Sequence, residues 1–421
     1  MRFAISIALI AIGLLPIAAG AQNIEFVGSY SIPSETRGVF AVSNYAYLID
    51  WHNLYIIDVT NPSAPTLAGS YIFQNVNASA IFVSGNYAYI TSGYYSTLGI
   101  YDVSNPASPA FVSSIHTTDA AKNVYVNGNY AYVVGSFCDV EQSVGQLATI
   151  DISDPANPTQ VDLRGYPNCI KGVFVAGINV YMAQFNVFSN NEGYLKIVNS
   201  EPDNEFDVGE LDSFQDAVGV SVENNYAYLV DGDLEIINVA DPADPILTSS
   251  LITPGDALNV TAAGNYAFVA DGLSGIVAVD VSNPDNPVIA SSYNTPGNAK
   301  SVFVFNNYIY VADSSSLQIL HFTPTGIEDS GKLPGDFSLS QNHPNPFNPT
   351  TVISYGIPRA MPVALKIYNI IGQQVARLDE GMQQAGEHSI KWDAEGFPSG
   401  IYFARLESGQ HSQIIKMVLL K

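Results

Sequence analysis

Residues 80–115 decide the fold. They read Ala80-Ile81-Phe82-Val83-Ser84, Gly85-Asn86, Tyr87-Ala88-Tyr89-Ile90-Thr91, a polar loop, Leu98-Gly99-Ile100-Tyr101-Asp102-Val103, Ser104-Asn105-Pro106-Ala107-Ser108-Pro109 and Phe111-Val112-Ser113-Ser114-Ile115. Gly85 and Asn86 tolerate positive φ, so they close a tight hairpin between two short apolar runs. Pro106 and Pro109 fix φ and offer no N–H to a ladder, so the third run must turn before the fourth. The stretch therefore predicts four short antiparallel strands, A to D.

The same unit recurs along the chain. Asn-Tyr-Ala-Tyr stands at Asn44–Tyr47, Asn86–Tyr89, Asn129–Tyr132 and Asn225–Tyr228, with near-copies at Asn265–Phe268 and Asn307–Tyr310 and a weaker one ending at Tyr181. The final aromatics are spaced by 42, 43, 49, 47, 40 and 42 residues. The Asn-Pro turn recurs at Asp58–Pro65, Asp151–Pro158, Asn238–Pro245 and Asp280–Pro287, and is degraded after Val198. Four strands at this period predict a β-propeller, with a solenoid as the alternative. The ends separate the two. The seventh unit stops after Leu317–Phe322, without a D strand, while Ile24–Tyr30 resembles the D strand at Leu67–Tyr71. An N-terminal strand can thus complete the last blade and leave only short, protected edges. The expectation is an all-β, seven-bladed propeller closed by its N-terminal strand, followed by a small Ig-like β-sandwich.

The flanks set the remaining boundaries. Met1-Arg2, an apolar run from Phe3 to Ala19 and Ala19-Gly20-Ala21 read as a signal peptide over 1–21. No later run is apolar and long enough to span a bilayer. The propeller is expected over 22–324, a Gly-, Pro- and acid-rich linker over 325–336, and a second domain over 337–421. Only 13% of residues are charged against 47% hydrophobic, and the net charge is −24. Residues 22–325 hold 6 Lys+Arg and 30 Asp+Glu, whereas residues 337–421 hold 7 and 6. A field this negative repels nucleic acid and anionic membranes.

Leu54-Tyr55-Ile56-Ile57-Asp58-Val59, followed by the Asn-Pro turn and Asn-Tyr-Ala-Tyr, resembles the LVIVD-repeat propellers of secreted bacterial proteins. The resemblance covers about residues 24–322 and speaks to fold. Residues 337–421 resemble the type A sorting domain of the type IX secretion system. The matching residues are Leu339–Thr351, containing Pro344-Asn345-Pro346-Phe347-Asn348-Pro349, then Leu365–Asn369, Gly372-Gln373, Trp392-Asp393, Gly400–Phe403 and Lys416–Lys421. That resemblance implies passage to the periplasm, recognition by the translocon and a sortase, and delivery to the outer-membrane surface or the medium. Alternating apolar residues in Val363–Asn369 and His388–Trp392, with Ile401–Leu406 and Gln413–Leu420, independently predict a sandwich of about seven strands.

Propeller topology places the B–C and D–A loops on one face and the repetitive turns on the other. The B–C loops vary between repeats, and variable loops on a rigid scaffold are where binding concentrates. Their aromatics in blades 1 to 4 are Trp51, Tyr94, Tyr95, Phe137, Phe185 and Phe188, with His52 beside Trp51. These rings either recognise a glycan or protein ligand, or pack their own loops. Ten residues before each final aromatic stand Arg37, Ser79, Lys122, Lys171, Val218, Leu258 and Lys300. Four of the six cations of 22–325 thus share one repeat position near the channel mouth. Either they bind an anionic group or they pair with Glu35 and its equivalents two residues earlier, Asn77, Ala120, Cys169, Asp216, Asp256 and Asn298. Cys138 and Cys169 fall on the same face in adjacent blades, and an exported chain favours their disulfide.

Glu201, Asp203, Glu205 and Asp207, in an acidic insertion, read as a solvated loop with Ca²⁺ as the one cofactor considered; the EF-hand order is absent. Only His52, His116 and His321 lie in the propeller, and no nucleophile elbow, zincin or phosphate-loop motif occurs. Asp50, Asp231, Asp271 and Asp313 recur at the end of strand B, which points to turn capping. The expectation is an exported binding module. A glycan-active enzyme using paired carboxylates and a purely structural or adhesive surface protein are the alternatives.

Overall fold

The computed structural model describes residues 23–324 apart from 75, 139–142, 189–191 and 201–206, and residues 337–420 apart from 340–341, 343–344, 346, 358–360, 371–372, 384–385 and 409–410. The expected signal peptide, the linker, Pro344, Pro346 and three of the four acidic-insertion residues (Glu201, Asp203, Glu205) lie outside the described residues.

Residues 23–324 form seven four-stranded antiparallel sheets. Sheets 1 to 6 span residues 38–72, 78–116, 121–166, 169–214, 219–251 and 259–293. Sheet 7 combines three strands in 299–323 with Asn23–Ser31 in the outer, D position. Strand A of each sheet touches strand A of the next, and that of sheet 7 touches that of sheet 1, so the sheets close a ring. The closing pair joins the two segments expected from sequence: Ile24 faces Phe322 and Tyr30 faces Leu317, with a bulge between Phe26 and Gly28.

Local chemistry explains the repeat. The A–B turns begin at Ser43, Gly85, Gly128, Gly177, Asn224, Gly264 and Asn306, all with positive φ. The two Asn-Asn turns hold positive φ at both residues, as a type I′ hairpin requires. In the Asn-Pro turns, Asp58, Asp102, Asp151, Asn238 and Asp280 each accept the backbone N–H two residues on, at 2.8–2.9 Å. The second tyrosine of each Asn-Tyr-Ala-Tyr is buried between sheets: Tyr47, Tyr89, Tyr132 and Tyr228 are all at most 5% exposed. Along the axis, Phe303, Phe40, Phe82, Tyr125 and Phe174 follow one another with ring centroids 4.3–4.9 Å apart.

A latch at the rim joins each sheet to the next. It sits at the same place in strand D, where the residue is small. A Cβ added at Gly28, Gly69 or Gly209 would lie 2.1–2.3 Å from the carbonyl oxygen of Pro62, Pro106 or Pro242 in the next sheet's turn. In sheets 2 and 5 the residue is serine, and Ser113 and Ser249 donate at 2.6 Å to the carbonyls of Pro155 and Pro284. Sheet 7 has no such turn, so Ser291 of sheet 6 accepts the Ile24 N–H at 3.0 Å instead. Sheet 4 has the degraded turn, and there Arg164 reaches across to the Asn199 carbonyl at 3.1 Å while pairing with Asp162. The fourth repeat thus keeps its place by a different contact.

The C-terminal residues form seven strands in two sheets, one of three strands and one of four. Their core includes Tyr355, Trp392, Tyr402 and Phe347. Within the sorting motif, Phe347 exchanges backbone hydrogen bonds of 2.9 Å with Val418 and Leu420, and the Asn345 side chain accepts from Val418 N at 2.8 Å. The motif is therefore stitched to the terminal strand, with Asn348 and Pro349 leading into the strand Thr350–Ile357. No helix among the described residues is long and apolar enough to cross a membrane.

Candidate functional site

On the variable face, sheets 1 to 3 enclose a depression of about 610 Å³. Its lining includes Arg37 and Trp51 from sheet 1, Tyr94 from sheet 2, and Lys122 and Phe137 from sheet 3. Tyr94 is 77% exposed, Phe137 51% and Trp51 39%. Large rings this exposed in one concavity contrast with their buried counterparts between the sheets. The Arg37 guanidinium stacks 3.7 Å from the Trp51 ring centre, and Tyr94 meets Tyr95 edge-on at 4.9 Å. His52 stands on the exposed rim, 3.4 Å from the Val76 carbonyl.

Asn77, Ser79, Gly93, Ser96, Asp119 and Ala120 complete the lining. Ser96 and Ala120 both hold positive φ, a conformation that costs a non-glycine residue free energy and that clusters at functional sites. They hold each other in place, since Ser96 Oγ accepts the Ala120 N–H at 3.0 Å. Gly135 allows this loop to approach, because a Cβ there would meet the Asp119 carbonyl at 2.5 Å.

The four cations divide into two kinds. Lys171 pairs with Asp216 at 2.8 Å and lies 4.2 Å from the Phe185 ring centre. Lys300 pairs with Glu35, and that bond, with the charge of Lys300, holds the Glu35 carboxyl below its usual pKa. In both pairs the acid belongs to the next sheet and sits two residues before its own repeat position. The same geometry gives Arg37 only Asn77, and gives Lys122 only Cys169. Arg37 Nε is buried with no hydrogen-bond partner among the described residues. Lys122 makes no hydrogen bond or ion pair among the described residues. Although solvent reaches it, lost hydration in the concave mouth, then the like charges of Arg37 and Lys171, lower its pKa. For Lys171 and Lys300 the pairing reading holds; Arg37 and Lys122 stand apart from it.

Three of the expected aromatic candidates, Tyr95, Phe185 and Phe188, are not among the residues lining the depression. Phe185 is 7% exposed, because strand B of sheet 4 runs on to Asn186 and sets Phe185 in the ladder opposite Cys169. It is a packing residue, not a recognition ring. Phe188 is exposed but is not among the lining residues. Cys138 and Cys169 are bonded, with Cα atoms 6.1 Å apart, and tie the end of strand B in sheet 3 to the start of sheet 4. Closing a loop of 31 residues stabilises a chain by about 3–4 kcal/mol in the chain-entropy account. Cys138→Ser/Cys169→Ser is therefore expected to lose up to about that amount in chemical denaturation, and labelling of the unreduced wild type should find no thiol.

The recurrent aspartates are spoken for. Asp271 accepts Thr253 Oγ1 at 2.6 Å and Gly255 N at 2.7 Å; Asp313 accepts Thr295 Oγ1 at 2.8 Å and Gly297 N at 2.9 Å. Burial raises both pKa values against these bonds. In Asp50 burial also opposes ionisation, but bonds from Ser34, His52, Asn53 and Tyr55 outweigh it and the pKa falls. Asp231 accepts Gln215 N at 2.8 Å. All four carboxylates anchor the D–A loops, and those of Asp50 and Asp231 also accept backbone N–H groups of their own turns. Asp207, of the calcium candidates, pairs with Lys196 at 2.9 Å.

The LVIVD repeat pattern matches residues 34–72, 77–117, 119–162, 215–253, 254–295 and 296–320, more than half of the chain. The chain belongs to the LVIVD-repeat family. The one sheet its pattern skips is sheet 4, whose C–D turn is degraded. Residues 342–420 of this LVIVD protein match the secretion system C-terminal sorting domain, so it is exported to the cell surface or the extracellular space and engages the type IX machinery. No curated protein matches it. Among solved structures, a chain from the crystal structure of a mitotic checkpoint complex gives a TM-score of 0.58 at 10% identity, covering 76% of this chain and 98% of that one. The computationally designed protein Ika8 gives 0.51 at 9%, covering 70% and 99%. Sqt1 of Saccharomyces cerevisiae gives 0.53 at 7%, covering 72% and 100%. At such identities the likeness is one of fold alone.

Proposed function

We propose that this exported LVIVD protein is a binding module that takes its ligand in the mouth bounded by sheets 1 to 3. The observation that carries the reading is the convergence of Trp51, Tyr94 and Phe137, exposed rings from three different sheets, on one concavity. Its volume lies in the range of small-ligand sites. The opposite face repeats its Asn-Pro turns almost unchanged and offers little to distinguish one ligand from another. An enzymatic reading is less supported, because the recurrent aspartates are engaged in the loop bonds given above.

The test is an array of glycans and cell-surface proteins probed with the full mature chain. Trp51→Ala/Tyr94→Ala is expected to lose at least tenfold in affinity for whatever is captured. Asn61→Ala/Asn105→Ala, in the opposite turns, should leave it within twofold. The reverse pattern would place the working face on the other side.

A further inference from the structure

We infer that the mouth selects a glycan bearing an isolated acidic sugar, whose anionic group sits between Arg37 and Lys122 while its ring stacks on the exposed aromatics. The inference rests on the proposal that ligand binds in this mouth and adds the chemistry of what is bound.

Among the described residues neither Arg37 nor Lys122 is bonded to an acid, and the Glu35 carboxylate, bonded to Lys300, acts on Arg37 only through its charge. Residues 22–325 carry five acidic residues for every basic one, so a cation left without a carboxylate is unexpected there. Sheets 4 and 7 show how the ring neutralises a cation, through an acid two residues before the repeat position of the next sheet. At sheet 1 that place holds Asn77, and at sheet 3 it holds Cys169, which the disulfide occupies. Both unpaired cations line the same depression. Arg37 is held there by its stack on Trp51, and a stacked guanidinium with no hydrogen bond among the described residues suits a planar carboxylate or a sulfate. Ser79 and Asn77 add neutral polar groups, and Asp119 is the one acid in the lining among the described residues.

The surrounding field limits the ligand. A domain this acidic repels a densely charged polyanion, so the two cations serve a single charge on an otherwise neutral chain. Exposed rings supply flat apolar surface for the neutral sugar faces. Carboxylate and sulfate share this chemistry, and the assay separates them.

The full mature chain is titrated at about 20 mM salt with four saccharides: a neutral oligosaccharide, the same chain ending in a uronate, the same chain ending in a sulfated sugar, and a fully sulfated polymer. Polyglutamate is the protein-like control. The expected result is binding of the uronate- or sulfate-ended chain at least tenfold tighter than of the neutral one, weakening with salt, and exclusion of the polymer. Arg37→Gln should lose at least tenfold. So should Asn77→Asp, which supplies the missing acid and leaves both cations in place. Lys171→Gln and Lys300→Gln should stay within twofold, and Asp119→Asn should tighten binding. Lys122→Met should lose affinity without lowering Tm, because Lys122 makes no hydrogen bond or ion pair among the described residues.

Equal binding of neutral and acidic chains would overturn the inference while leaving the mouth as the binding site. Unchanged affinity in both Arg37→Gln and Asn77→Asp would overturn it, as would capture of polyglutamate alone or tight binding of the polymer. Binding of none of the saccharides would also overturn it, and the aromatic double mutant on the array then judges the mouth separately.

Discussion

Deleting residues 23–32 is expected to lower the stability of the ring by about 5 kcal/mol. The strand is not a decoration on sheet 7. It pairs with Ser316–Thr323 along its whole length, buries Ile24 and Ile32, and presents Gly28 to the Pro62 carbonyl of sheet 1. Burial of two isoleucines alone is worth about 3–6 kcal/mol, and the freed ladder of Ser316–Thr323 becomes an unprotected edge. Because whole domains are stable by only about 5–15 kcal/mol, the shortened chain should lose on the order of 10–20 °C in Tm and self-associate. A synthetic peptide of residues 23–32 should restore much of the loss when added in trans. An unchanged melting curve would mean that the ring closes by sheet packing alone.

The second large effect is expected at Gly69. A side chain there meets the Pro106 carbonyl at 2.2 Å and the Ala107 backbone at 3.0 Å. Neither contact is the end of a flexible side chain, so two sheets must part to admit it. Gly69→Val should cost about 3 kcal/mol, the upper end for overpacking. Gly69→Ala should cost less. Gly69→Ser should cost least, because a hydroxyl can donate to the carbonyl as Ser113 and Ser249 do in their sheets. Ser113→Gly removes one hydrogen bond and should cost about 1 kcal/mol. Equilibrium denaturation gives all four values. An order other than Val, Ala, Ser would show that the latch does not govern sheet spacing.

Much of this architecture was legible in the residues. The hairpin turns, the Asn-Pro turns and the missing last strand are local chemistry, and local chemistry repeats visibly at a fixed period. The C-terminal sandwich followed from alternation in the same way. The rim latch is not legible in the residues, although glycine or serine recurs at its position in six of the seven sheets: a small residue in a strand gives no sign of what approaches it. The cation position is visible in the repeat count, but its division into two kinds lies in the following repeat. Writing each cation beside the acid position of the following repeat would have set Lys171 with Asp216 and Lys300 with Glu35, and left Arg37 and Lys122 facing Asn77 and Cys169. Phe185 falls in a ladder rather than a loop because strand B of sheet 4 runs on to Asn186, as strand B of sheet 3 runs on to Cys138, and a strand's end is set by its partner's ladder, not by its own composition. Ser96 and Ala120 belong to loops, whose course depends on contacts such as Gly135 against the Asp119 carbonyl.

Ring closure by the N-terminal strand also changes where the chain leaves the ring. In every other sheet the last strand in sequence is the outermost, held along one side. In sheet 7 the last strand, Ser316–Thr323, lies inside, flanked by Tyr308–Asp313 and by Asn23–Ser31. Any pull transmitted through the residues after Thr323 is therefore shared between two ladders. An outer strand in that place would peel from one. If a ligand were bound at the mouth while the chain was held from its tail, the ring would take the tension at a strand bonded on both sides.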